Sequence, residues 1–165
     1  MVNGDKMSKS LKRVKTALRT AGFIDTVVET GTARTAANAA EALGCEIDQI
    51  AKSIIFAGLQ TQQAILFVTA GSNLVNKEKA TKLAKEPLGK ADAAFIREQT
   101  GFAIGGVSPV GHLNPVKAFM DPRLFEFDKI WAAAGTPNHV FSICPTKLQL
   151  LCGADIRLFT DSKKM

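Results

Sequence analysis

The chain has 165 residues, 46% of them hydrophobic and 22% charged, with a net charge of +6. That is the size and balance of one folded domain with a real core, and no apolar run approaches the ~20 residues that span a bilayer. Three cysteines (Cys45, Cys144, Cys152) form no CxxC pair and two histidines lie far apart, so neither a disulfide framework, a metal site nor a cofactor is indicated.

The N-terminus is too polar for a secretory leader, and the cysteine usage suits a reducing cytoplasm. Residues 1–9 read as a flexible start. Ser10 then caps a helix to about Ala21, stopped by Gly22. Leu11, Val14 and Leu18 recur at helical spacing and face the core. Lys12, Arg13, Lys15 and Arg19 fall on exposed faces. With Lys6 and Lys9 they outweigh Asp5 and Asp25, and such a basic segment favours polyanionic partners such as RNA or serves as a solvated face.

Phe23 to Glu29 reads as a short strand. Thr35 caps an alanine-rich helix, Ala36–Leu43, ended by Gly44 and read as scaffolding. Glu46 to Gln49 is one short turn. The run Ile50-Ala51-Lys52-Ser53-Ile54-Ile55-Phe56 is rich in strand formers. Strand alternation places Lys52 on the same face as Ile50, Ile54 and Phe56. An ammonium there must snorkel outwards, find a partner or line a pocket. Ala64 to Ala70 is a second buried strand, antiparallel to the first.

Asn73 is the expected cap of a helix over 74–85, and Pro87 prevents its continuation. Asp92 opens a helix over Ala93–Gln99, closed by Gly101. After a glycine-rich run, Leu113 to Phe119 reads as loop and short strand, and Asp121 to Phe125 as a capped helical turn. Ile130–Ala134 and Val140–Ile143 are partner strands. Pro145 to Leu151 is a helix stopped by Gly153, and Ile156 to Phe159 closes the sheet.

The run from Gly101 to His112 holds four glycines and one proline in twelve residues. Paired glycines open dihedrals closed to other residues and let another molecule approach the main chain. Pro109 fixes its own φ and pushes Ser108 towards an extended backbone. The run reads either as a tight helix-to-strand connection or as a stiff loop whose peptide N–H groups cradle an anion or oxyanion.

Taken together, the 50–56 strand preceded by the alanine-rich helix, and the segment Thr100-Gly101-Phe102-Ala103-Ile104-Gly105-Gly106-Val107-Ser108-Pro109-Val110-Gly111, resemble the YbaK/ProX family of aminoacyl-tRNA deacylases. That family includes the editing insertion domain of bacterial prolyl-tRNA synthetases, and the similarity runs over roughly residues 23 to 160. The resemblance implies an α+β fold: a curved, mixed, largely antiparallel sheet wrapped by helices in a single domain over 1–165. It implies hydrolysis of the ester joining a wrong amino acid to tRNA, with mischarged tRNA and a synthetase as the expected partners. Lys52 matches the lysine that the family needs. Gly105 and Pro109 match the ends of its GXXXP loop, with Gly106, Val107 and Ser108 between them. The place of His139 varies in the family and shapes the amino-acid pocket.

An aminoacyl ester is already activated, so the site must place water and stabilise charge on the carbonyl oxygen. The 105–109 amides suit that task, and Lys52 would hold the terminal phosphate or carbonyl. Ile54, Val107, Gly111 and His139 are candidates for the substrate pocket; Ile54 and Val107 have core packing, and His139 a surface loop, as the alternative. Lys12, Arg13, Lys15 and Arg19 are the candidate tRNA contacts. Cys144 reads as packing rather than a nucleophile, and Ser108 lacks an evident base. A non-catalytic module holding an aminoacyl end, or a general RNA-binding domain, are the other function classes.

Overall fold

The computed structural model describes residues 8–161. Five α-helices and eight strands follow one another along it: α1 (Lys9–Thr20), β1 (Val28–Glu29), α2 (Ala36–Leu43), β2 (Ile50–Gly58), β3 (Ala64–Ala70), α3 (Lys77–Ala84), β4 (Leu88–Lys90), α4 (Ala93–Thr100), β5 (Lys117–Met120), β6 (Ile130–Ala133), β7 (His139–Ile143), α5 (Pro145–Cys152) and β8 (Asp155–Ile156). The strands form one mixed sheet in the order β1-β7-β6-β2-β3-β5-β8, with β4 added to β2. Four of its seven pairings are antiparallel. No helix among the described residues is long and apolar enough to cross a membrane.

β3 is buried along its whole length, with Leu66 and Val68 facing one core and Ile65 and Phe67 the other. The larger core joins α1, α4 and α5 to the sheet through Leu11, Val14, Leu18, Ile96 and Leu148. The smaller core packs α3 around Phe67, whose ring stacks 5.3 Å from Phe119 and meets Phe159 edge-on at 5.0 Å. Each such aromatic pair adds about 0.5–1.5 kcal/mol beyond its burial. A third cluster seats Ala39 and Ala40 of α2 against Ile50.

The centre of the fold is β2. β3 pairs one of its edges from Ala51 to Ala57. Along the opposite edge β6 covers Ile50 and Ala51, and β4 covers Phe56 to Gly58. Among the described residues no strand pairs with Lys52–Ile55 on that side. The sheet is therefore notched at its middle strand.

Several local expectations change. Residues 1–7 lie outside the described residues, and Ser8 rather than Ser10 caps α1, its Oγ accepting from the Leu11 amide at 3.0 Å. Of the expected 23–29 strand only Val28 and Glu29 pair, because the Phe23 amide turns back to the Leu18 carbonyl and Asp25 caps Val27. Asn76, not Asn73, caps α3. Asn73 is otherwise engaged: its side chain donates to Asp121 and its carbonyl accepts from Lys52. Leu74 to Asn76 consequently stay out of the helix, and Val75 bridges Thr160. β4, just after Pro87, was hidden by its length of three residues. The closing strand is Asp155–Ile156 rather than 156–159.

Candidate active site

A cleft of about 700 Å³ opens at the notch in the sheet. Lys52, Ser53, Ile54 and Ile55 all line it. Consecutive strand residues point to opposite faces, so a cleft touching all four meets β2 by its edge. Ile104, Gly105 and Val107 of the glycine-rich run form another wall, and Arg34 to Ala37 at the start of α2 a third. Ile47, Ala91 and Ile96 add apolar surface. Two segments remote in sequence thus share one cavity.

Lys52 neither snorkels into solvent nor joins the apolar core. Its Nζ donates to the Asn73 carbonyl at 2.7 Å. Burial pulls its pKa below the usual lysine value, while the charges of Asp48 and Asp121 pull it back up. Both carboxylates are buried and firmly held. Asp121 accepts from the Ala70 amide and the Asn73 side chain, and its other oxygen caps the following turn at Arg123. Asp48 accepts from the Ser72 amide and hydroxyl, and pairs with Arg123 Nε at 2.9 Å. The ammonium is therefore tethered on an anchored polar network at the floor of the cleft. Beside it, Ser53 Oγ is shielded from solvent and has no hydrogen-bond partner among the described residues.

The glycine run leaves α4 at Gly101 and makes a turn closed by the Gly106 amide on the Ala103 carbonyl at 3.0 Å. Gly105 has φ +91°, a backbone that side chains resist, and a Cβ there would point into open space. At Gly106 the reason for glycine is different: a Cβ would sit 2.9 Å from the Cα of Thr136. Of the amides between 105 and 109, that of Gly106 is used and Pro109 has none. Those of Gly105, Val107 and Ser108 take no partner among the described residues. Ser108 is fully buried, its Oγ accepting from the Val110 amide, so it shapes the loop and does not face the cleft as a nucleophile. His112 Nε2 donates to the Ser108 carbonyl at 2.6 Å. Burial lowers the pKa of this imidazole and the nearby charge of Arg13 lowers it further, against the opposing pull of the Ser108 carbonyl.

The other candidates separate. Ile54 and Val107 line the cleft; Gly111 does not, since it packs on α1. His139 starts β7, paired opposite Glu29, with its Nδ1 2.7 Å from Thr136 Oγ1, and is not among the cleft residues. It lies behind Thr136, the residue that touches Gly106. Lys12 and Arg19 are exposed as expected, while Lys15 is half-buried against Asp25 at 3.5 Å. Arg13 corrects the expectation of an exposed face: it turns inwards, and its guanidinium lies 4.7 Å over the Phe102 ring. The helix read as scaffolding, α2, supplies a wall of the cleft instead. Sequence reasoning also missed Ser53, Ala91, Ile96 and Ile104, which carry no signal distinguishing them from core or loop residues. Among the described residues no group of acidic, histidine or cysteine side chains could hold a metal ion.

The aminoacyl-tRNA editing domain matches this chain over residues 30–151. The chain belongs to that family. This editing domain is an aminoacyl-tRNA deacylase, a hydrolase acting on mischarged tRNA. It is 31% identical over 140 residues to the uncharacterized protein YwhH of Bacillus subtilis (strain 168), covering 84% of this chain and 88% of that one. It is 35% identical over 93 residues to the proline–tRNA ligase of Chromobacterium violaceum, a stretch that is 55% of this chain and 16% of the ligase. In three dimensions it is similar to a crystal structure described as "a putative trans-editing enzyme for prolyl tRNA synthetase", with a TM-score of 0.88, 43% identity, and coverage of 95% of this editing domain and 100% of that chain.

Proposed function

We propose that the cleft hydrolyses the ester between a small, wrongly attached amino acid and the terminal ribose of a tRNA, with the proline tRNA as its carrier. The carrier is suggested by the likeness to a proline–tRNA ligase and to a structure described as editing for prolyl tRNA synthetase. A synthetase would be the source of the mischarged tRNA. The observation that carries the chemistry is that Lys52, Gly105 and Val107 line one cavity.

In this reading the Lys52 ammonium holds the terminal phosphate or the ester carbonyl. The amides of Gly105 and Val107 are the candidate donors for the oxygen that becomes negative. Water adds to the carbonyl carbon, the bond from that carbon to the ribose oxygen breaks, and the ribose oxygen leaves with a proton. The products are the free amino acid and the uncharged tRNA. Burial lowers the Lys52 pKa, but Asp48 and Asp121 oppose the loss of its charge and a bound phosphate would oppose it further, so the ammonium is assigned to holding the substrate rather than to the base. A ribose hydroxyl of the substrate is the candidate for positioning the water. Preorganised donors of this kind lower the barrier by about 2.7–4 kcal/mol each.

Selection follows from size. Ile54, Ala91, Ile104 and Val107 leave an apolar recess, and excluding a larger side chain by clash is easier than favouring one methylene, worth ~1–3 kcal/mol. Exposed Lys12 and Arg19 are candidate contacts for acceptor-stem phosphates. The test is ester loss from a panel of tRNAs carrying alanine, cysteine, serine, threonine or proline. Rapid loss of one small residue with proline spared is the expected result. Tight binding with no hydrolysis of any member would leave a binding module.

A further inference from the structure

We infer that Arg13, on a helix outside the matched 30–151 segment, is a positioning residue that sets the shape of the glycine-rich loop. This rests on the reading of that loop as the oxyanion wall.

Arg13 reaches both ends of the run. Its Nε donates to the Gly111 carbonyl at 2.9 Å, and Nη2 lies 3.5 Å from the carbonyl of Thr100. The guanidinium covers one face of Phe102, which is fully buried. The same ring meets His112 edge-on at 5.6 Å, and His112 in turn holds the Ser108 carbonyl. One cation thus fixes the start of the loop, its end, and the aromatic ring between them. The fit is close: a Cβ on Gly101 would lie 2.5 Å from Arg13 Nη2, and one on Gly111 would lie 3.3 Å from the Arg13 carbonyl.

α1 also braces the opposite side. A Cβ on Gly135 would lie 2.7 Å from the Ser10 carbonyl oxygen, so the segment after β6 is seated on the first turn of α1. That segment carries Thr136, whose backbone abuts Gly106. The loop is gripped between two contacts that both trace back to one helix. Lysine cannot replace the arginine here. It carries the charge but lacks the planar fork that bonds a carbonyl in plane while its face lies on a ring.

The full chain is tested as wild type, Arg13→Gln and Arg13→Lys. The readouts are kcat and KM on the mischarged tRNA hydrolysed best, affinity for uncharged tRNA across a salt series, and amide hydrogen exchange. Misplacing donors by about 1 Å costs roughly 100-fold in rate. The expected result is a ten- to hundred-fold fall in kcat in both variants, with KM and uncharged-tRNA affinity within about threefold of wild type. Exchange should rise over 103–110 and stay unchanged in β3. A raised KM with unchanged kcat and a shallower salt slope would overturn the inference and make Arg13 a phosphate contact. Wild-type kcat in Arg13→Lys would overturn it too, since charge alone would then suffice. If Arg13→Gln loosens α1 as a whole, Arg13→Lys alone decides, by the same kcat criterion. If wild type hydrolyses no ester, the functional reading fails on its own; unchanged exchange over 103–110 would then overturn the brace, and raised exchange would support it.

Discussion

Replacing Lys52 by methionine separates its chemical role from its structural one. The methionine keeps an unbranched stem of similar length and removes the ammonium. The fold loses one charge-assisted hydrogen bond, 2.7 Å from Nζ to the Asn73 carbonyl, and such bonds contribute ~1.5–3 kcal/mol. Against this, the half-buried ammonium carries a desolvation cost that methionine lacks. The two effects oppose, so the net loss of stability is about 1 kcal/mol. Turnover should suffer far more. Removing a preorganised electrostatic partner costs about 100- to 1,000-fold in kcat. Single-turnover ester loss from mischarged tRNA, run beside urea unfolding of the same samples, reads both numbers. Rates within about threefold of wild type would refute the assignment, because no step worth ~1 kcal/mol or more could depend on the ammonium. Destabilisation above ~3 kcal/mol would refute it differently, by showing that Lys52 is a structural member of the Asp48–Asp121 network.

Three further outcomes follow from the geometry. Gly106→Ala forces a methyl within 2.9 Å of the Thr136 backbone and should lower kcat at least tenfold, whereas Gly44→Ala, at φ +68° with nothing within 4 Å, should cost ~1 kcal/mol of stability and leave turnover unchanged; paired kinetic and melting measurements check both. His112 has a lowered pKa in the fold, so its contribution to stability is complete above the unfolded value of about 6.5 and is lost as pH falls through the lower folded value. Protection over 103–110, the exchange rate taken relative to the intrinsic amide rate at each pH, should therefore fall between pH 7 and 5 in wild type and change less in His112→Gln. Ile104→Ala changes a residue 60% exposed at the cleft wall, so stability should move by less than ~0.5 kcal/mol, while the rate ratio between larger and smaller amino-acid esters should rise by up to ~10-fold.

What could be read from the sequence was what local chemistry decides. Helix stops at Gly44, Gly101 and Gly153, caps at Thr35 and Asp92, and the β2–β3 hairpin follow from side chains acting on their own backbone. The pairing of Lys52 with the glycine run was legible through resemblance, since neither segment states on its own what it faces. Cap choice between Asn73 and Asn76 was not legible, because Asp121, far along the chain, decides it. The same holds for Arg13. On a helical wheel it falls outside the Leu11–Val14–Leu18 face, and only Phe102 and Gly111 draw it inwards. His139 was proposed for the pocket through the resemblance, and Gly111 with it, and the sheet's register and α1 put both elsewhere. α2 looked like a spacer because alanines report packing and say nothing of what their helix end overlooks.

The bare stretch of β2 acts as a gauge. Four residues at a strand's rise of ~3.3 Å leave a slot roughly 13 Å long, comparable to one nucleotide with its attached acyl group. Its length is bounded by where two short neighbours stop, and those neighbours hold none of the reacting groups. Lengthening β4 or β6 by a pair of residues would shorten the aperture while β3 keeps the floor rigid. Admission and chemistry can therefore drift independently in such a scaffold.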